Sequence, residues 1–218
     1  MTEPFIKNEQ LNFIKKQIAI IKDSMNKSLP KTVLVAVIEL AHAKVLELFP
    51  QASSEQQALL DISKWKTKNE YDQYIEGLTA YVLPFPKLTE QQLKKLFPKQ
   101  KKLKLPDLTT IDHHKLTYLS WTDGKSNRKF IIYDLEGQLV GMEGKMTATN
   151  KKNICSFCNS FGEVAYFSTI TKDKKPKNAD YYKAIGNFIC TDSSECNRNI
   201  DNTAYLQEFF QTAEGRRY

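Results

Sequence analysis

The segments Cys155-Ser156-Phe157-Cys158 and Cys190-Thr191-Asp192-Ser193-Ser194-Glu195-Cys196 decide the fold, and they contain all four cysteines of the chain. A two-residue gap lets both thiolates of a tight turn reach one metal ion. A five-residue gap suits a strand end followed by the start of a helix. Four sulfurs complete a tetrahedral shell. The spacing therefore predicts one structural zinc ion held by Cys155, Cys158, Cys190 and Cys196.

The four cysteines also allow three interpretations besides structural zinc. Two disulfides are disfavoured in a cytosolic protein, where thiols are kept reduced. Ordinary buried thiols or a redox pair would not require two close pairs. A catalytic zinc ion would need one cysteine outside the shell and a water in its place.

The sequence around the cysteines changes from helical periodicity to extended runs. Branched and aromatic residues between turn signals such as Asp123-Gly124 and Glu136-Gly137 indicate strands. They predict a small antiparallel sheet followed by a terminal helix. The strands are expected at 116–121, 130–133, 139–146, 164–170 and 185–190, and the helix at 203–213.

Upstream of this region the apolar residues follow helical spacing. One stripe contains Ile14, Ile18, Ile21 and Met25, and a second helix after Pro30 carries the stripe Val33, Val37, Leu40, Ala41 and Leu48. Capping-box spacing marks further helix starts at Ser54 with Gln57, Thr67 with Glu70, and Thr89 with Gln92. Four amphipathic helices bury their stripes most simply as a bundle. We expect a helical domain at 1–83, a boundary at Pro84-Phe85-Pro86, and a second domain at 84–218 with its zinc finger at about 150–213.

The charge of the chain limits its partners. Thirty-two basic and 25 acidic residues give a formal net charge of +7, which favours an acidic partner such as RNA, the ribosome or an acidic protein. Neither a signal peptide pattern nor a run of about 18 apolar residues occurs, so we expect a cytoplasmic protein without a membrane partner. Two lysine runs are candidates for contact, although each is also explained as a solvated surface. They are Lys94, Lys95, Lys99, Lys101, Lys102 and Lys104, and then Lys172, Lys174, Lys175 and Lys177.

Motifs of catalysis are missing from the sequence. It contains no glycine-rich phosphate loop, nucleophile elbow or His-Glu-x-x-His pattern. His42, His113 and His114 have no cysteine or acidic pair at ligand spacing. We therefore expect a binding protein and not an enzyme.

Three stretches carry a resemblance to a known family. They are Tyr81-Val-Leu-Pro-Phe85, Trp121 followed by Ser126-Asn-Arg-Lys-Phe-Ile-Ile-Tyr133, and Cys190 to Asn197. Together they resemble the FusB-type fusidic acid resistance proteins. The resemblance implies an α+β protein, with an N-terminal four-helix bundle before an α/β domain that holds a treble-clef-like four-cysteine zinc finger.

The resemblance also implies a function. Members bind translation elongation factor G and promote its release from the ribosome, which protects translation from fusidic acid. The family's zinc ligands correspond to the four cysteines, and its contact surface corresponds to Lys183, Phe188, Tyr205 and Phe209. Ile154 departs from the aromatic residue that relatives carry before the first cysteine, which weakens any stacking contact there. We expect a monomer that acts on the ribosome indirectly; the alternative function is a zinc-finger protein that binds RNA or the ribosome.

Overall fold

The structure is a computed structural model that describes residues 2–27, 29–100, 102–172 and 183–215, with only the backbone described at Asn150. The chain divides into two compact units, Met1–Leu83 and Pro84–Tyr218. Each unit has its own hydrophobic core. The helical unit and the sheet-containing unit together form the mixed α+β architecture that the sequence predicts.

Four α-helices lie in the described part of the first unit. They are α1 (Asn8–Asn26), α2 (Lys31–Glu47), α3 (Ser54–Leu59) and α4 (Lys68–Leu78), with single 3₁₀ turns at Ile62–Lys64 and Thr79–Tyr81. The predicted stripe of α1 is confirmed, because Ile14, Ile18 and Ile21 are completely buried or nearly so. The two ends of the unit meet where Leu83 donates its backbone N–H to the carbonyl of Ile6 at 2.8 Å.

Side-chain caps fix where the helices begin. The Thr67 hydroxyl accepts from the N–H of Glu70, and the Glu70 carboxylate accepts from the N–H of Thr67, as the sequence predicts. At α3 the prediction was wrong by one residue, since the capping box joins Ser53 and Gln56. Adjacent serines and adjacent glutamines make both registers equally good matches to the pattern.

Helix α2 differs from its prediction in the face that it buries. Its fully buried residues are Ala41 and Val45, whereas Val33 is 43% exposed and Leu40 is 58% exposed. The helix is apolar on most of its circumference, so helical spacing in its sequence does not identify a single buried stripe. The inclusion of Val33 and Leu40 in the core stripe was therefore wrong.

The second unit contains a five-stranded antiparallel sheet in the order β1-β2-β3-β4-β5. Its strands are β1 (Tyr118–Asp123), β2 (Arg128–Leu135), β3 (Gln138–Ile154), β4 (Phe161–Ile170) and β5 (Ala184–Cys190), and its helices are α5 (Glu90–Leu96), α6 (Ser193–Asn199) and α7 (Ala204–Ala213). Glu136 and Gly137 have φ values of 56° and 82°, which is the left-handed conformation of a two-residue hairpin. β3 extends well beyond its predicted end. The sequence does not predict this extension, because the second half of the strand is polar and carries no apolar alternation.

Both faces of the sheet are covered. Along β2, Phe130 and Ile132 belong to a core that includes Leu93 and Phe97. The alternate residues of the same strand belong to a core that includes α7 and the four cysteines. Successive strand residues point to opposite faces, so a central strand covered on both sides is apolar along its length. Within the described residues, no helix is long and apolar enough to cross a membrane.

Candidate metal centre

The first cysteine pair lies in the turn between β3 and β4. The backbone N–H of Cys155 donates to the carbonyl of Ser160 at 2.9 Å, and the N–H of Asn159 donates to the carbonyl of Cys155 at 2.8 Å. Asn159 has a φ of 56°, a left-handed conformation that asparagine tolerates better than most residues. These contacts close a tight loop and direct both cysteine side chains inward, where they are buried.

The second pair brings together a strand end and a helix start. Cys190 is the last residue of β5, and Cys196 lies on α6, whose first turn is capped by the Asp192 carboxylate through the N–H of Ser194 at 2.7 Å. Ser156 donates its N–H to the carbonyl of Phe188 at 2.9 Å, which joins the first loop to β5. The expected strand end and helix start in the five-residue gap are therefore present.

The four sulfurs lie within 4.8 Å of one another. The Sγ atoms of Cys155 and Cys196 are 3.8 Å apart, and those of Cys158 and Cys190 are 3.6 Å apart. A disulfide would bring two sulfurs to about 2.05 Å. Four thiolates at about 2.3 Å from a central zinc ion, at tetrahedral angles, are about 3.8 Å from one another. The donor set and its spacing thus fit a zinc ion and not a pair of disulfides.

The electrostatics of the cluster also favour a cation. Hydrogen bonds from Cys158 and the other two thiols lower the pKa of Cys155, whereas the hydrogen bond with Cys155 raises the pKa of Cys196. The first thiolate to form therefore opposes ionisation of its buried neighbours. A zinc ion removes this opposition because it holds all four sulfurs as thiolates. The second unit carries one structural zinc ion of the treble-clef type.

Three buried side chains lie near the cysteine cluster. The pKa of the Tyr118 phenol is raised well above its ordinary value, first by burial and then by negative charge at Cys196. Burial lowers the pKa of Lys129, although the charges of Cys196, Asp192 and the other cysteines act in the opposite direction. Asn197 is 2% exposed and accepts hydrogen bonds from the backbone N–H groups of Thr117 and Tyr118, where β1 begins.

Sequence reasoning did not identify Tyr118, Lys129 or Asn197 as part of this site. Lys129 and Asn197 lie within stretches that carry the family resemblance, but spacing alone gives no signal for them. Ser126 and Asn127 lie in the β1–β2 turn, whereas Lys129 is a buried residue of β2. In the sequence Ser126-Asn-Arg-Lys129, the first three residues are therefore exposed and only Lys129 is buried.

The residues predicted for partner contact differ in accessibility. Lys183 is exposed immediately before β5, Phe188 is half-buried on that edge strand, and Tyr205 is 37% exposed and accepts a hydrogen bond from Asn187 at 2.6 Å. Phe209 lies in the core, where its ring packs against the aromatic rings of Phe157 and Phe167. The first three residues therefore follow one edge of the sheet, and Phe209 supports that edge from inside.

The lysine loop is described only at its start. Lys172 is largely exposed, and its ammonium group lies 2.7 Å from the Glu214 carboxylate. Lys174, Lys175 and Lys177 lie outside the described residues, as does Lys101 of the earlier lysine run. The histidines lie away from the cysteines: His42 is 3.8 Å from the Asp61 carboxylate, and His113 is hydrogen-bonded to the carbonyl of Phe85 at 3.0 Å.

The fold and the four-cysteine centre define a two-unit zinc protein with a treble-clef finger in its sheet-containing unit. Residues 5–86 match the family model "Elongation factor G-binding protein, N-terminal", and residues 96–215 match "FBP C-terminal treble-clef zinc-finger". The second match spans more than half of the chain. The chain belongs to the FusB-type family of elongation factor G-binding proteins.

A solved structure agrees with this assignment. The fusidic acid resistance protein FusC is 27% identical to this chain and superposes with a TM-score of 0.78, covering 96% of this chain and 97% of its own. A search of curated protein sequences found no match. The predicted family, fold class and structural zinc are confirmed, and neither family description names a catalytic activity.

Proposed function

We propose that this protein binds elongation factor G and promotes its release from the ribosome, so that translation continues in the presence of fusidic acid. The observation that carries the proposal is the match of residues 5–86 to the elongation factor G-binding family, joined to a treble-clef zinc finger at residues 96–215, in a chain aligned over almost its whole length with a fusidic acid resistance protein. The protein acts by binding, in the cytoplasm and as a monomer, and makes or breaks no bond.

The zinc ion holds the proposed contact surface in one conformation. Cys155, Cys158, Cys190 and Cys196 hold the ion, which ties the β3–β4 turn to the end of β5 and to α6. The proposed contact edge, defined as Lys183, Phe188 and Tyr205, depends on this junction, because Ser156 bonds to Phe188 and Asn187 bonds to Tyr205. Lys172, Lys174, Lys175 and Lys177, which precede this edge in the sequence, add positive charge.

Release requires a difference in affinity. A ligand that binds two conformations equally shifts neither, so the protein must bind the released conformation of the factor more tightly than the ribosome-bound one. A shift from about 1:99 to 99:1 requires about 10⁴-fold tighter binding to the favoured state.

Two measurements test binding and release separately. Calorimetric titration of zinc-loaded protein with elongation factor G should give a saturable complex that Lys183→Glu weakens. Lys145→Glu, a change at an exposed lysine of β3, is the matched control and should bind as the native protein does. Sedimentation of ribosomes with elongation factor G and fusidic acid should then show the factor leaving the pellet when the protein is added. Saturable binding with the factor still in the pellet would overturn release alone.

One observation favours a second candidate, a zinc-finger protein that binds RNA or the ribosome. Residues 84–218 contain 22 basic and 15 acidic residues, so the entire net charge of +7 lies in the unit with the zinc finger. A basic surface binds phosphate in a salt-dependent manner. Tight binding of ribosomal RNA, without a complex with elongation factor G, would support this second function over the first.

A further inference from the structure

Lys129 is the only buried charged side chain among the residues that the structure describes. It is 1% exposed, and its ammonium group donates to the Ser193 hydroxyl at 2.7 Å and the Thr191 carbonyl at 3.5 Å. Neither acceptor is charged. Within the described part of the chain, no carboxylate lies within ion-pair distance of this ammonium group. A buried cation is costly unless a negative charge compensates it.

The position of Lys129 directs it toward the zinc centre. On β2 it lies on the same face as Ile131 and Tyr133, which belong to the core that contains the four cysteines. Its two acceptors lie one residue after Cys190 and three residues before Cys196. The ammonium group is thus held against the loop between the second pair of ligands.

The charge of the centre provides what Lys129 lacks. Four thiolates and one zinc dication carry a net charge of −2. Part of this charge is met by backbone donors, such as the N–H of Cys190, which lies 3.3 Å from the sulfur of Cys155. We propose that Lys129 is the buried counter-charge of the zinc–thiolate centre, a positioning residue that binds no metal itself but increases the affinity for zinc.

The proposal explains two features together. No carboxylate forms an ion pair with the buried ammonium group; Asp192 acts on it only from beyond ion-pair distance, and the metal centre supplies the further counter-charge. Ser193 holds it in place, and the same residue is the first of α6, which carries Cys196. Groups that surround metal ligands typically alter affinity 10–100-fold when they are removed.

The test compares zinc affinities by competition with a chromophoric chelator. Lys129→Met keeps the length and apolar stem of the side chain but removes its charge, and should raise the zinc dissociation constant about 10–100-fold. Lys129→Arg keeps the charge in a bulkier group. If charge matters, arginine should bind zinc more tightly than methionine; if packing alone matters, the order should reverse. Lys145→Met, at an exposed lysine of the same sheet, is the matched control and should bind zinc as the native protein does.

Cobalt substitution checks that the four-thiolate site still forms in each variant. A native affinity in Lys129→Met, an equal loss in Lys145→Met, or weaker binding by arginine than by methionine would each overturn the proposal. If Lys129→Met gives no tetrahedral cobalt spectrum, the zinc affinity of Ser193→Ala is the test instead. This variant releases the ammonium group of Lys129 without changing its charge. Weaker zinc binding in Ser193→Ala then supports the proposal, and unchanged binding overturns it. None of these readouts requires elongation factor G, so they are independent of the proposed function.

Discussion

Replacement of Asn197 by alanine should destabilise the second unit more than its small size suggests. The Asn197 carboxamide oxygen accepts from the N–H groups of Thr117 and Tyr118, at 2.7 Å and 3.1 Å. Its amide nitrogen donates to the carbonyls of Tyr118 and Ser193, both at 3.0 Å. The side chain therefore joins the first residues of the sheet to the helix that carries Cys196.

The magnitude follows from these four contacts. A hydrogen bond contributes about 1 kcal/mol net, and a buried group that loses its partner costs about 1–3 kcal/mol. The losses are not additive, so we expect Asn197→Ala to lower the free energy of unfolding by about 3–4 kcal/mol. Asn197→Asp keeps the two acceptor contacts and replaces the donor with an oxygen that faces two carbonyls. The loss should be at least as large as that of alanine, because a buried carboxylate oxygen that faces two carbonyls is repelled as well as left without a donor.

Each unit contains one tryptophan, so fluorescence can follow the unfolding of each unit separately. Trp65 lies in the first unit and Trp121 in the second. Denaturant unfolding followed by fluorescence in a Trp65→Phe background reports the second unit, and a Trp121→Phe background reports the first. The midpoint of the Trp121 transition should fall, whereas that of Trp65 should not change.

Asn199→Ala is the matched control, since Asn199 is exposed at the end of the same helix. It should change the free energy of unfolding by less than about 0.5 kcal/mol. A loss below about 1 kcal/mol for Asn197→Ala would refute the reasoning, because it would mean that water or a shift of β1 replaces all four contacts. A loss of equal size in the control would refute it as well.

Three further predictions concern the metal, the packing and the charge. Chelation, or Cys155→Ser, should unfold the second unit and abolish factor binding. Structural zinc contributes about 10–16 kcal/mol of binding free energy, whereas a whole domain is stable by about 5–15 kcal/mol. Zinc analysis and Trp121 fluorescence check this prediction, and retained native fluorescence would contradict it. Gly144→Ala should lower the free energy of unfolding by about 1–3 kcal/mol, because a Cβ there would lie 2.4 Å from the Phe167 ring. In α4, a Cβ added at Gly77 meets nothing within 4 Å, so Gly77→Ala should raise the free energy of unfolding by about 0.5–1 kcal/mol. Denaturant midpoints that move in the same direction would count against this contrast. Replacing the loop lysines by alanine should slow association with elongation factor G at low salt, as stopped-flow mixing would show, and unchanged rates would exclude steering by the loop. These lysines are Lys172, Lys174, Lys175 and Lys177.

Local signals predicted the parts of the fold that local chemistry determines. Thr67 and Thr89 start their helices as expected, because a cap and its partner lie within one turn of each other. The cysteine spacing predicted the metal centre for a similar reason, since four thiols in two close pairs have few other uses in a reduced compartment. In both cases the spacing along the chain determines the contact.

Long-range contacts explain what the sequence did not predict. Asn197 contacts β1 across about 80 residues, and Lys129 contacts the loop after Cys190 across 62 residues. Asparagine in a short helix and lysine at the start of a strand are common, so neither residue type signals its partner. Only the register of the sheet shows which side chains lie on the face of the zinc centre.

The predicted buried face of α2 was wrong for a different reason. Amphipathic helices show their buried face by contrast with a polar one, and α2 offers little contrast. Both Val33 and Ala41 fit an apolar stripe, but the neighbouring helices cover only one of them. Here the tertiary packing selects between stripes that the sequence leaves equivalent.

The distribution of charge separates two tasks in the proposed mechanism. Residues 1–83 contain ten basic and ten acidic side chains, so electrostatic attraction of an acidic partner must arise from residues 84–218. Charges at the rim of an interface mainly change the association rate, whereas ordered buried contacts mainly change the dissociation rate. Replacing Lys172, Lys174, Lys175 and Lys177 should therefore slow the encounter and leave the dissociation rate unchanged, whereas removing zinc should abolish the complex. The two losses are separable because Lys172 is exposed and holds no zinc ligand in place, whereas the ion acts through the β3–β4 turn, β5 and α6.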